Sequence, residues 1–171
     1  MHGYVHVYTG NGKGKTTAAL GLALRAAGAG MTVYIGQFIK NADYNEIKAL
    51  ARFADQITLE QYGRGCFIYG TPCDADIEAA RTGLRIIRQA LISGAYHLVI
   101  ADEINVAFGC GLLDETDLLD FIEARPPAVE LVLTGRGAPQ AVIERADLVT
   151  EMREIKHYYQ RGILAREGIE K

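Results

Sequence analysis

The chain of 171 residues has no tryptophan and little cysteine. Cys66, Cys73 and Cys110 are an odd number and form no disulfide framework. Cys66 and Cys73 are separated by six residues, which suits neither a zinc knuckle nor a redox pair, and no histidine cluster completes a ligand set. No apolar run approaches the length needed to span a membrane, and no signal region precedes the first expected strand. The expectation is a reduced, soluble, cytoplasmic protein. Positive charge is not in excess either: 18 Lys and Arg face 21 Asp and Glu, a net charge of −3. No broad basic field therefore points to nucleic acid or to an acidic membrane. Repeats and low-complexity tracts are missing, and the length suits a single domain over residues 1–171.

What the chain does have is a phosphate-binding loop. An apolar strand at 4–8 leads into Thr9-Gly10-Asn11-Gly12-Lys13-Gly14-Lys15-Thr16-Thr17 and then into a helix rich in Ala and Leu. Three alternating glycines let the backbone N–H groups converge on one point, and the positive end of the following helix faces the same point. Lys15 adds a mobile point charge for phosphate, and the Thr16 hydroxyl is placed for magnesium. The strict motif has glycine where this chain has Thr9.

The helix expected from Thr16 to Ala27 ends at Gly28-Ala29-Gly30, and a nearly continuous apolar strand follows over 31–38. Asp43-Tyr44-Asn45-Glu46 has the form of a capping box opening a helix to about Ala54, and 57–62 alternates like a strand. Gly63 to Gly70 is an irregular loop with more apolar surface, in Phe67, Ile68 and Tyr69, than a loop facing only water should carry. Thr71 and Pro72 read as N-cap and first residue of a long helix, with Ile77, Ala80, Leu84, Ile87 and Leu91 on one face and Gly94 at its end. Strands at 97–101, 129–133 and 148–152 and helices at about 115–124 and after Pro139 complete the pattern. Such alternation implies an α/β fold, a mainly parallel sheet with helices on both faces. Its strand ends bring together Gly10 to Lys15, Asp102-Glu103 and Gly135-Arg136-Gly137.

Leu98 to Glu103 has the form of a Walker B segment, apolar residues followed by carboxylates able to bind magnesium directly or through water. Arg136 between two glycines offers a guanidinium fork to a phosphate or carboxylate. His157, beside two tyrosines, reads as packing rather than catalysis. No Ser-His-Asp or Cys-His arrangement is visible.

With these residues in hand the chain resembles the ATP:corrinoid adenosyltransferases, which act on cob(I)alamin or on precursors such as cob(I)yrinic acid a,c-diamide. The resemblance covers nearly the whole chain. It rests on Gly10 to Ala19, Gln37-Phe38-Ile39-Lys40, Asp102-Glu103, Thr134 to Gly137, Ala146-Asp147, Lys156-His157 and Gly168-Ile169. It implies a P-loop NTPase fold of the RecA-like kind, with ATP held by Gly10, Asn11, Gly12, Lys13, Gly14, Lys15, Thr16 and Thr17. It also implies Mg2+ held by Thr16 and Glu103, a corrinoid as acceptor, a flavoprotein-type reductase as electron donor, and a homodimer. In the best-known branch a Phe and a Trp displace the lower cobalt ligand. This chain has no Trp, so Phe67 and Tyr69, two apart, become the expected apolar wall against the corrinoid.

The expected reaction is alkyl transfer, in which cobalt(I) attacks the 5′-carbon of ATP and triphosphate leaves, with Lys15, Thr16 and Arg136 as the catalytic set. The shorter loop, starting in effect at Gly10, is expected to hold the γ-phosphate most deeply in the Gly12 to Lys15 nest and to turn the 5′-carbon outward. Two alternatives remain: a small kinase or ATPase, which would hold β- and γ-phosphates there and release ADP, and a nucleotide-gated corrinoid-binding protein without turnover.

Overall fold

The computed structural model describes residues 2–42, 44–65 and 70–170. Among them six strands, β1 (Val5–Thr9), β2 (Val33–Gln37), β3 (Ile57–Gln61), β4 (Leu98–Asp102), β5 (Glu130–Thr134) and β6 (Leu148–Glu151), form one sheet in the order β3-β2-β4-β5-β1-β6. Every pairing is parallel, as crossover helices between successive strands require. The helices are α1 (Lys15–Gly28), α2 (Asn45–Leu50), α3 (Asp74–Ile92), α4 (Ile104–Gly109), α5 (Glu115–Glu123) and α6 (Gln140–Arg145), with short 3-10 turns at Ala51–Phe53 and Tyr158–Arg161. No helix among the described residues is long and apolar enough to cross a membrane.

Period-two alternation along the central strands divides the apolar side chains between two cores. Val33, Ile35, Leu98, Ile100 and Val132 face the alanines of α1. Val5, Val7, Val99, Ala101, Leu131 and Leu133 face α3, α4 and α5 through Ile87, Leu91, Ile104, Leu118 and Phe121. Both faces of the sheet are thus dry, which is why the central strands read as continuous apolar runs. The expected stripe of α3 is seated as predicted, with Ala80, Ile87 and Leu91 buried and Ile77 and Leu84 packed against them.

Three local expectations are corrected. α3 begins at Asp74 and not at Pro72, because the Asp76 carboxylate accepts from the Cys73 backbone N–H at 3.3 Å and from its thiol at 3.0 Å, making Cys73 the N-cap. α2 starts after Tyr44, whose side chain makes no capping bond, and Asp43 of the expected box lies outside the described residues. α2 also stops at Leu50 and tightens into the Ala51–Phe53 turn before reaching Ala54. α4 is an addition that the sequence pattern did not announce.

All six strands point their C-terminal ends the same way and each ends in a polar residue, of which four are buried: Thr9, Gln37, Asp102 and Thr134 at the ends of β1, β2, β4 and β5. That edge is where an open parallel sheet binds ligands.

Candidate active site

The loop between β1 and α1 turns through Gly10 at φ 92° and Gly14 at φ 116°, conformations that a side chain resists. Space is as decisive as φ: a Cβ on Gly10 or Gly12 would stand 2.5 or 2.7 Å from the Met152 carbonyl oxygen. The segment after β6 lies flat against the loop, with Met152 N donating to Thr9 O at 2.8 Å and Gly12 N to Met152 O at 2.7 Å. The Gly12 N–H is therefore directed at Met152 and not into the cradle of the loop. Lys15 is buried and its ammonium donates to the carbonyls of Gly10 and Gly12, both at 2.7 Å. Burial and then the positive charge of Arg136 lower its pKa, while Glu103 and Asp102 raise it. Asn11 and Thr17 are exposed, and Lys13 reaches away to donate to the Ile169 carbonyl at 3.2 Å.

Asp102 is wholly buried and each of its oxygens is used twice. Oδ1 accepts from the Thr16 hydroxyl at 2.9 Å and the Thr134 hydroxyl at 2.7 Å. Oδ2 accepts from Gln37 Nε2 at 3.0 Å and Lys40 Nζ at 2.8 Å. Gln37 is fixed in turn by Gln61, which donates to its Oε1 at 3.0 Å. The register that sets Gln37 beside Asp102 belongs to the β2–β4 ladder. A saturated, dry carboxylate has no lone pair left for a ligand, so its work is to hold the groups around it.

Glu103 differs. Its backbone is left-handed at φ 61°, its N–H donates to the Thr134 hydroxyl at 3.0 Å, and its side chain remains 22% exposed where that of Asp102 is 0%. Burial first, then the charge of Asp102, push its pKa up, against Lys40, Lys15 and Arg136. The Lys40 ammonium donates to the Thr16 hydroxyl at 3.0 Å and stands 4.0 Å from Glu103 Oε1. Burial pulls its pKa down, but the charge and hydrogen bond of Asp102 outweigh this and hold it above the ordinary lysine range.

These are hard oxygen donors, the kind magnesium takes. Among the described residues no group of three or more His, Cys, Asp and Glu side chains could hold a metal ion. Magnesium is commonly bound through one or two protein oxygens with phosphate and water supplying the rest; the Thr16 hydroxyl and the Glu103 carboxylate are oxygens of that kind at this edge.

The third loop is tied to the first. Gly135 N donates to Tyr8 O at 3.1 Å, and Ala138 N donates to the Thr9 hydroxyl at 3.3 Å. Gly135 at φ 130° lies against Asn105, where a Cβ would meet the Asn105 Cβ at 3.0 Å. Arg136 is exposed at the crest of this loop, near enough for its charge to act on both Lys15 and Glu103.

Lys15, Thr16, Glu103 and Arg136 are thus brought to one place. Phe67 and Tyr69, and Cys66 with them, lie outside the described residues. His157 Nδ1 accepts from Tyr159 N at 3.0 Å and caps the Tyr158–Arg161 turn. Gln37, Lys40, Thr134 and Thr9 carry the hydrogen-bond framework yet had no assigned role in the sequence reading. The signal available was a polar residue closing or just following an apolar strand at the ligand-binding edge.

A profile of the family described as ATP:corrinoid adenosyltransferase BtuR/CobO/CobP matches residues 1–170. A corrinoid adenosyltransferase of Pseudomonas aeruginosa is 38% identical over 169 residues, covering 98% of this chain and 83% of that protein. One from Sinorhizobium sp is 36% identical over 172 residues, covering 98% and 80%, and one from Escherichia coli K12 is 32% identical over 169 residues, covering 98% and 85%. With a phosphate-binding loop, a carboxylate strand end and an arginine loop on one edge of a parallel sheet, the chain belongs to the ATP:corrinoid adenosyltransferase family.

Proposed function

We propose that this corrinoid adenosyltransferase holds the triphosphate of ATP between the β1–α1 loop and Arg136 and presents the 5′-carbon outward to the corrinoid. The observation that carries the reading is the convergence of Lys15, Arg136 and Glu103 within mutual electrostatic reach at the loop. Cobalt(I) supplies both electrons of the new cobalt–carbon bond, the bond from C5′ to oxygen breaks, and triphosphate leaves with that bond's electron pair. Such a reaction needs alignment and charge neutralisation rather than proton transfer. Lys15 and Arg136 face the leaving group with positive charge, and the Gly10 to Thr17 backbone wraps it. Magnesium, held by Thr16 and Glu103, would add neutralising charge there. Asp102 orients the Thr16 hydroxyl through its 2.9 Å bond.

The same reading gives Phe67 and Tyr69 to the corrinoid, as an apolar wall that keeps water and the lower ligand from cobalt. Electrons for cobalt(I) come from a flavoprotein-type reductase, and the enzyme works in the cytoplasm as a homodimer. The test is anaerobic incubation with ATP and reduced corrinoid, followed by the visible spectrum and by phosphate analysis. Free triphosphate together with an alkyl-cobalt spectrum is expected; ADP and phosphate would overturn the reading and restore a phosphoryl-transfer enzyme.

A further inference from the structure

We propose that Lys40 is the resident cation of the Thr16, Asp102 and Glu103 seat, and that its ammonium and a divalent metal exclude one another there. The metal then enters with the nucleotide and not ahead of it. The inference rests on the reading of Thr16 and Glu103 as metal ligands.

Two independent observations carry it. The first is position: the Lys40 ammonium lies 3.0 Å from the Thr16 hydroxyl, 2.8 Å from Asp102 Oδ2 and 4.0 Å from Glu103 Oε1. A metal on Thr16 and Glu103 would need those oxygens at about 2.0–2.1 Å, so two cations would have to share one cluster of lone pairs. The second is the backbone that delivers the lysine. Lys40 N donates to Phe38 O at 2.6 Å, closing a three-residue turn whose central residue, Ile39, has φ 66°. A β-branched residue there is strained. Phe38 is fully buried on one side of the turn. Gly63 N donates to Lys40 O at 3.0 Å, and a Cβ on Gly63 would lie 2.1 Å from Ile39 O. Strain clamped this tightly marks a place where geometry serves function, and what this turn fixes is the backbone from which Lys40 reaches Thr16 and Asp102.

Physical chemistry then sets the order of events. Asp102 is 0% exposed, and a buried carboxylate left without a cation is strongly unfavourable, so the seat must always hold positive charge. A bare metal would have to displace Lys40 while giving up hydration for only the few protein oxygens of the seat, and magnesium dehydrates reluctantly. A triphosphate changes both sides of the exchange: its oxygens complete the metal shell, and they give the ammonium, on its flexible stem, a new anionic partner.

The test is titration of the full chain with Mn2+, followed by electron paramagnetic resonance of the free ion, for wild type, Lys40→Met and Lys40→Arg. Without nucleotide, Lys40→Met is expected to bind Mn2+ at least tenfold more tightly than wild type, and Lys40→Arg, which keeps the charge, as weakly as wild type. A Lys40→Met affinity no tighter than wild type overturns the proposal. The reading beneath it fails differently: wild type with ATP would take up no more Mn2+ than ATP alone does. Should Lys40→Met not fold, the side-chain ammonium resonance of Lys40 in the wild-type protein serves instead. It is expected to shift when Mg2+ and ATP are added together and to stay in place with Mg2+ alone. A resonance unmoved by both together overturns the proposal.

Discussion

Thr9 stands where a strict phosphate-binding loop has glycine, and its hydroxyl is used: it accepts from Ala138 N at 3.3 Å and so joins the Arg136 loop to the Lys15 loop. Thr9→Val keeps the shape and removes that acceptor. One neutral hydrogen bond is worth about 0.5–1.5 kcal/mol, so the variant should melt a few degrees lower. Its KM for ATP should rise, because Arg136 loses a tether. Unchanged melting and unchanged KM together would show that the bond contributes nothing. Lys15→Ala and Thr16→Ala belong to the same scale. Each forfeits charge-assisted contacts of about 1.5–3 kcal/mol in binding, and more in the transition state as charge moves onto the leaving triphosphate. Both should lose turnover while keeping a native circular dichroism spectrum; either one turning over like wild type would remove the loop from the mechanism. At this scale the sequence offered the residues proposed to face the ligand and hid most of the framework that holds them. Lys15 and Thr16 are legible because their motif is local. The roles of Gln37 and Lys40 depend on a β2–β4 register and on a strained turn at Ile39, neither of which has a local signature.

Among the elements, α3 shows how packing overrules propensity. Gly83 lies inside this helix, where alanine ordinarily stabilises by about 1 kcal/mol. Here a Cβ would stand 2.4 Å from Cγ of Tyr62. The Tyr62 ring also closes on Gly36 of β2, where a Cβ would meet its Cε2 at 2.7 Å, and its hydroxyl shares a 2.7 Å hydrogen bond with that of Tyr34. The ring is wedged between sheet and helix and cannot step back. Gly83→Ala should therefore destabilise by roughly 1–3 kcal/mol, the usual cost of overpacking. Gly21→Ala in α1 is the control: beyond the adjoining helix backbone, no atom of the described residues lies within 4 Å of the added Cβ, so the helix should gain about 0.5–1 kcal/mol. Denaturant unfolding of the pair decides it, and a stabilised Gly83→Ala would refute the wedge. The two glycines look alike in sequence, since only the tertiary partner separates them. Long elements were legible, α3 from its apolar periodicity and α1 from its Ala and Leu content between the loop and Gly28. The six-residue α4 was not, because it follows β4 directly through the left-handed Glu103 and adds to an apolar run without a capping residue of its own.

For the whole molecule, the consequence of placing the proposed nucleotide-binding side chains on one sheet edge is that ligand and fold share a free energy. Thr9, Gln37, Asp102 and Thr134 close four different strands, and the hydrogen bonds of Asp102 alone join groups from β2, β4, β5 and α1. On the proposed reading a nucleotide held by Lys15, Thr16, Glu103 and Arg136 loads the centre of the sheet and not one loose loop, and its binding should raise the melting temperature of the domain as a unit. At a ligand concentration about 100 times Kd the stabilisation is about 2.7 kcal/mol. A domain of roughly 150–250 residues moves about 2–4 °C per kcal/mol, so Mg2+ with ATP should lift the transition by roughly 5–11 °C. Chelation of the metal should remove part of that rise, because only the contribution through Thr16 and Glu103 depends on it. ADP should give a smaller rise than ATP if the γ-phosphate is the one held most deeply, and Lys15→Ala should abolish most of the effect with either nucleotide. Scanning calorimetry of wild type and Lys15→Ala with each ligand measures all of these. A shift as large with ADP as with ATP would mean that the loop does not grip the terminal phosphate, and with it would go the outward-facing 5′-carbon on which alkyl transfer depends.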